Sequence, residues 1–172
     1  MRILIVPASK YGSTAEIGRA IASTLRDEGF DVDVSQPEHM FNLSPYAAHI
    51  VGSALYIGNW LDSARRFVDE YAEILQGKPT WLFSSGPLGP AKPEEPIRGD
   101  VLEDLMTKTA AVEHQIFNGR LDSSRLSRTE RFLARWVEAP EGDFRDWEAI
   151  EAWSREIAGT LQPKTNRAVH GS

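Results

Sequence analysis

The sequence predicts an α/β domain in which five parallel strands, in the order 2-1-3-4-5, are doubly wound between helices to make three layers, α/β/α. Three observations carry this expectation. Five short runs rich in apolar residues, at 3–6, 31–34, 47–52, 80–83 and 112–117, alternate with stretches whose apolar residues recur at helical spacing. The connections between successive runs are long enough to hold a crossover helix, and right-handed crossovers leave few arrangements of five parallel strands. The first, third and fourth runs each lead into a glycine-bearing turn, and this order places those turns on one rim, where the winding reverses between strands 1 and 3.

The first strand, Ile3-Leu4-Ile5-Val6, is apolar throughout and passes at residues 9–14 into a helix spanning about 13–27, with Ile17, Ile21 and Leu25 on its core face. Gly29 supplies the left-handed position that ends it. Asp31-Val32-Asp33-Val34 alternates, as an edge strand does. After Ser44-Pro45 a buried strand centred on Ile50 and Val51 ends at Gly52, and residues 52–60 form the second turn. A helix over about 61–75 turns Leu61, Ala64, Phe67, Val68, Tyr71 and Leu75 inward. Gly77-Lys78-Pro79 stops it. The fourth strand, Thr80-Trp81-Leu82-Phe83, leads to the third turn, Ser84-Ser85-Gly86-Pro87-Leu88-Gly89-Pro90. Pro87, Pro90, Pro93 and Pro96 then keep the chain in loop up to Arg98.

A short helix over about 100–109 faces Val101, Leu102, Leu105 and Met106 inward, and residues 112–117 form the fifth strand, ending at Asn118-Gly119. Residues 120–142 read as an insert with its own helix near 125–137. The last helix begins near Asp146 and carries Trp147, Ile150, Trp153, Ile157 and Leu161 on its core side. Residues 162–172 are polar and predict a disordered tail. Residues 1–161 thus form one domain.

Composition narrows the chemistry. The 172 residues carry a formal net charge of −6 with no long basic run, so nucleic acid is not an expected partner. The chain has no cysteine, which removes thiol and iron–sulfur chemistry. His39, His49, His114 and His170 lack metal-ligand spacing, and no metal is expected. Strand 1 starts at the N-terminus, without a signal peptide, and no apolar run reaches the ~18 residues of a membrane span. A cytoplasmic protein is expected.

The first turn, Ser9-Lys10-Tyr11-Gly12-Ser13-Thr14, has the character of a phosphate cradle. A helix start leaves backbone N–H groups unpaired and carries about half a positive charge, so an anion there satisfies both. Ser9, Ser13 and Thr14 add hydroxyls, and Gly12 lets the backbone approach closely. Neither the Walker lysine nor the dinucleotide glycine spacing is present. A plainer reading makes Ser13 a helix cap, with Glu16 completing a Ser-x-x-Glu capping box. The pattern Ser9, Tyr11, Gly12, Thr14 resembles the phosphate loop of flavodoxins, and that resemblance implies FMN as cofactor.

The second turn offers Tyr56 and Trp60 to flank a flat ring, with Ser53, Ala54, Leu55, Ile57 and Gly58 supplying backbone contacts to its edge. Trp60 reads alternatively as a core residue at a helix start. On the third turn Ser85, Gly86, Pro87, Leu88 and Gly89 would close the far side, or form an ordinary loop stiffened by proline. A response-regulator receiver shares the sheet order but needs acids after strand 1 and a phospho-accepting Asp after strand 3. This chain has Pro7-Ala8-Ser9 and Gly52-Ser53 there.

On the helix near 125–137, Leu126, Phe132, Leu133, Trp136 and Val137 lie on one side and Arg125, Arg128, Arg131 and Arg135 on the adjoining one. Such a helix either packs on the domain or meets an anionic substrate, a protein partner or, peripherally, a membrane. Together, Ser9-x-x-Gly12-x-Thr14, Gly52-Ser53-x-x-Tyr56-x-Gly58-x-Trp60 with Ser63-Ala64, and Asp146-Trp147-Glu148-x-Ile150-x-x-Trp153-x-Arg155-Glu156-Ile157-Ala158 resemble the menaquinone-dependent protoporphyrinogen oxidases, which are flavodoxin-fold FMN enzymes with an insert before the last helix. The resemblance implies heme biosynthesis as the setting, quinone as acceptor, and a tetrapyrrole whose propionates Arg120, Arg125 and Arg128 would hold. A non-enzymatic electron carrier with a redox protein partner, and a deazaflavin in place of FMN, remain as alternatives. The residues single out no catalytic acid or base, and the oligomeric state stays open.

Overall fold

The computed structural model describes residues 1–40, 42–86, 97–121 and 142–162. Its elements follow one another as β1 (Arg2–Ala8), α1 (Ser13–Asp27), β2 (Asp31–Val34), a 3₁₀ turn (Pro37–His39), β3 (Ala48–Tyr56), β4 (Asn59–Trp60), α2 (Asp62–Gln76), β5 (Thr80–Ser85), α3 (Gly99–Thr109), β6 (Glu113–Phe117), β7 (Arg120–Leu121), β8 (Gly142–Asp143) and α4 (Trp147–Leu161). The main sheet runs β2-β1-β3-β5-β6 with every neighbour parallel. This is the predicted 2-1-3-4-5 order, with the short β4 added antiparallel to β3.

The strand periodicity of two explains how one run feeds two cores. Ile3 and Ile5 of β1 join Ile50, Trp81, Phe83 and Phe117 under α1 and α4. Leu4 and Val6 point the other way and pack with Val51 and Leu82 under α2 and α3. Gly52 owes its place to close approach. A Cβ there would fall 2.1 Å from ring carbons of the buried Phe83.

Helix ends behave largely as their residues dictate. Gly29 is left-handed at φ 90, and Phe30 N–H donates to Leu25 O at 3.1 Å, closing the end of α1. Asp146 Oδ1 accepts from Ala149 N–H at 3.0 Å and starts α4.

Four expectations are corrected. β3 continues to Tyr56, so Ser53, Ala54 and Leu55 are strand residues; the turn shrinks to a two-residue hairpin in which Ile57 (φ 49) and Gly58 (φ 71) both take left-handed backbone. Trp147 is exposed because it is the first residue of α4, ahead of the stripe that Ile150, Trp153 and Ile157 turn to the core. Val112 lies outside β6 and is exposed. On α3 only Leu105 of the four expected residues is fully buried; Val101, Leu102 and Met106 are half-buried against the same core. The expected helix at 125–137, the proline-rich stretch 87–96 and the tail from 163 onward lie outside the described residues.

Candidate functional site: a phosphate cradle beside an aromatic hairpin

Because β1, β3, β5 and β6 are all parallel, their C-terminal ends share one rim. The first turn, the hairpin at 56–59 and the start of the third turn open there. At the first turn Gly12 is the N-cap of α1 with φ 93, a left-handed backbone that a side chain would strain. Its N–H donates to Ser9 Oγ at 3.0 Å, folding the loop back on itself. The first helical bond runs from Glu16 N–H to Gly12 O at 2.9 Å. The amides of Ser13, Thr14 and Ala15 therefore lie in the first turn with no acceptor within the helix.

No side chain caps α1, so the capping-box reading of Ser13 and Glu16 does not hold. Glu16 turns to Arg145 instead, Oε2 to Nη1 at 2.5 Å, and Ser13 Oγ accepts from the N–H of Arg120 at 3.3 Å. Thr14 is the telling residue. It is 1% exposed and its Oγ1 has no hydrogen-bond partner among the described residues. A buried hydroxyl without a partner costs about 1–3 kcal/mol, and a phosphate oxygen at the mouth of α1 would satisfy it. The residues present thus fit a phosphate monoester.

Lys10 ties the cradle to the hairpin, its Nζ 5.3 Å from the Tyr11 ring centre and 5.7 Å from that of Tyr56. Tyr56 is 48% exposed and Ile57 75%, both on the tip of the hairpin. Trp60, expected beside Tyr56, is buried instead, and its Nε1–H donates to Ser84 Oγ at 2.8 Å. The hairpin reversal carries the indole inward, so the core reading of Trp60 holds. Ser84 Oγ also lies 2.8 Å from His114 Nε2, and burial pushes the His114 pKa down to about 4.

Ser53 is likewise internal: its hydroxyl accepts from Leu61 N–H at 2.9 Å and donates to Ala54 O at 2.9 Å, stapling β3 to the start of α2. Gly58 O accepts from Arg98 N–H, and Gly86, at φ 128, donates its N–H to Phe117 O at 2.8 Å. Ser85 is buried in β5. Pro87, Leu88 and Gly89, and with them Arg125 and Arg128, lie outside the described residues. Arg120 comes to the first turn of α1, with Nη1 3.9 Å from Glu16 Oε1. Among the described residues no cluster of three or more His, Asp or Glu could hold a metal, and no helix is long and apolar enough to cross a membrane.

A family model described as a flavodoxin domain matches residues 4–147. The chain belongs to the flavodoxin domain family. Oxidised Flavodoxin 1 from Bacillus cereus superposes with a TM-score of 0.65 at 19% identity, over 94% of this chain and 100% of that one. The Streptococcus pneumonia TIGR4 flavodoxin does so at 0.64 and 22%, again over 94% and 100%. Protoporphyrinogen IX dehydrogenase (quinone) of Escherichia coli strain K12 is 23% identical over 173 residues, covering 92% of this chain and 95% of that protein. What sequence reasoning missed in this flavodoxin-domain site is Arg145, whose partner Glu16 is 129 positions away. The nearest local signal is the Asp143-x-Arg145-x-Trp147 spacing ahead of α4.

Proposed function

We propose that this flavodoxin-domain protein binds FMN and works as an oxidoreductase, oxidising a porphyrinogen with quinone as acceptor, in line with the name of its E. coli relative. The observation that supports it is the buried Thr14 hydroxyl in the first turn of α1, which has no hydrogen-bond partner among the described residues. In this reading Ser9, Ser13, Thr14 and the first-turn amides hold the phosphate, and Gly12 admits it. Tyr56 presents a stacking face for the ring, worth about 0.5–1.5 kcal/mol beyond area burial. FMN supplies the redox chemistry when bound; the protein orients cofactor and substrate and excludes water around them. Arg120, beside the cradle, is a candidate anchor for a propionate.

A second reading, an electron carrier that docks a redox protein, draws on the exposed Tyr56 and Ile57 at the hairpin tip, where a partner would cover them. The first test is the visible spectrum of the purified protein and identification of the chromophore it releases, which separates FMN from a deazaflavin. A colourless protein that takes up neither would overturn the redox reading. The second test mixes the loaded protein with porphyrinogen and a soluble quinone. Direct turnover supports the oxidase, whereas reduction that requires an added reductase supports the carrier.

A further inference from the structure

Beside the cradle lies a charge cluster that phosphate binding by amides and hydroxyls does not use. The Arg145 side chain is 3% exposed and held on three sides. Its Nη1 donates to Glu16 Oε2 at 2.5 Å, and its Nε and Nη2 donate to Asp143 Oδ1 and Oδ2 at 2.7 and 2.5 Å. The face of the guanidinium lies over Trp147, 4.5 Å from the ring centre. These contacts raise the Arg145 pKa, with the Asp143 bonds the larger cause, so the charge is permanent. Arg120 Nη1 approaches the other oxygen of Glu16 at 3.9 Å. Among the described residues the cluster brings two carboxylates and two guanidinium groups together.

Glu16 stands in the first turn of α1, two residues after Thr14. An acid in that position favours a bare helix N-terminus, but it opposes a second anion seeking the same amides. Resting on the FMN reading, we propose that Arg145 is a positioning residue: it holds the Glu16 carboxylate aside and neutralised, so that the start of α1 accepts a phosphate group. The bidentate grip of Asp143 fixes the guanidinium from behind, leaving Nη1 directed at Glu16. Removing the guanidinium takes one positive charge from beside the first turn that must hold the phosphate. Loss of one positive charge beside the cradle weakens anion binding about tenfold.

The experiment titrates the full chain, stripped of ligand, with FMN and with riboflavin, which carries the same ring without the phosphate, and follows flavin fluorescence. Arg145→Met is expected to raise the FMN Kd about tenfold and to leave riboflavin within about twofold of the unaltered chain. E16Q/R145M removes the offending carboxylate and is expected to recover FMN binding to within about threefold. Arg145→Lys, which keeps the charge, is expected to preserve the FMN-to-riboflavin ratio. Glu16→Gln alone removes one negative charge and is expected to tighten FMN about threefold with riboflavin unchanged. That last comparison stands even if Arg145→Met does not fold.

Equal weakening of both ligands by Arg145→Met would show a clasp that is only structural and would overturn the proposal. So would a double variant as weak as Arg145→Met, or Glu16→Gln without effect on FMN. If the unaltered chain binds no FMN, the cofactor reading itself fails; if it binds FMN and Arg145→Met binds it equally well, only the role of Arg145 fails.

Discussion

Thr14→Val exchanges a hydroxyl for a methyl at nearly constant shape, and its two expected consequences have opposite signs. Without FMN the buried Thr14 Oγ1 has no partner among the described residues, so its removal relieves a desolvation penalty of about 1–3 kcal/mol. For a chain of this size that corresponds to a melting temperature higher by about 2–4 °C per kcal/mol. In the proposed FMN complex the same hydroxyl would donate to a charged phosphate oxygen, a bond worth about 1.5–3 kcal/mol, so its loss would raise the Kd by roughly 10- to 100-fold. Ligand stabilisation then shrinks by mass action, and the variant that melts higher when empty melts lower when FMN is at modest excess. Thermal melts with and without FMN, together with a fluorescence titration, measure both halves. A variant that melts lower when empty and binds FMN normally would mean that the hydroxyl serves the fold and not the ligand.

Three further outcomes follow from the geometry. Gly52→Ala would press a Cβ to 2.1 Å from the Phe83 ring, and an overlap of that kind in a packed core costs about 3 kcal/mol. Urea unfolding should show that loss, with part of it recovered in the Gly52→Ala/Phe83→Leu pair. Ile57, β-branched and exposed, sits at φ 49, a conformation that Asn accepts more readily; Ile57→Asn should therefore stabilise the fold by about 1 kcal/mol, and a lower melting temperature would contradict this. Burial, with help from Lys78, pushes the His49 pKa down to about 4. The unfolded chain takes up that proton near the ordinary 6.5 while the folded one resists to about 4, so stability falls as pH drops through this window. The slope is at most about 1.4 kcal/mol per pH unit. Denaturant midpoints between pH 7 and 4.5 should fall less steeply for His49→Leu, and parallel curves would refute the assignment.

Local pattern alone determined the sheet order, the core face of α1 and the glycine turn at its start. The apolar run at Ile3 to Val6, the spacing of Ile17, Ile21 and Leu25, and the glycines at 12 and 29 each act within a few residues, and such short-range preferences survive in any context that buries the strands. The side on which an aromatic faces was not legible in the same way. Tyr56 and Trp60 are four apart in an unremarkable turn, and the intervening hairpin sends one to the rim and the other to Ser84 in β5. The same holds for Glu16, which local rules make a capping-box partner. A buried guanidinium brought from the threshold of α4 competes for its carboxylate and prevails, because Arg145 is desolvated and must have acidic neighbours. Sequence thus settled where the first turn of α1 lies; three-dimensional packing decided which charges surround it, since ion pairing in the interior depends on distance through space and not along the chain.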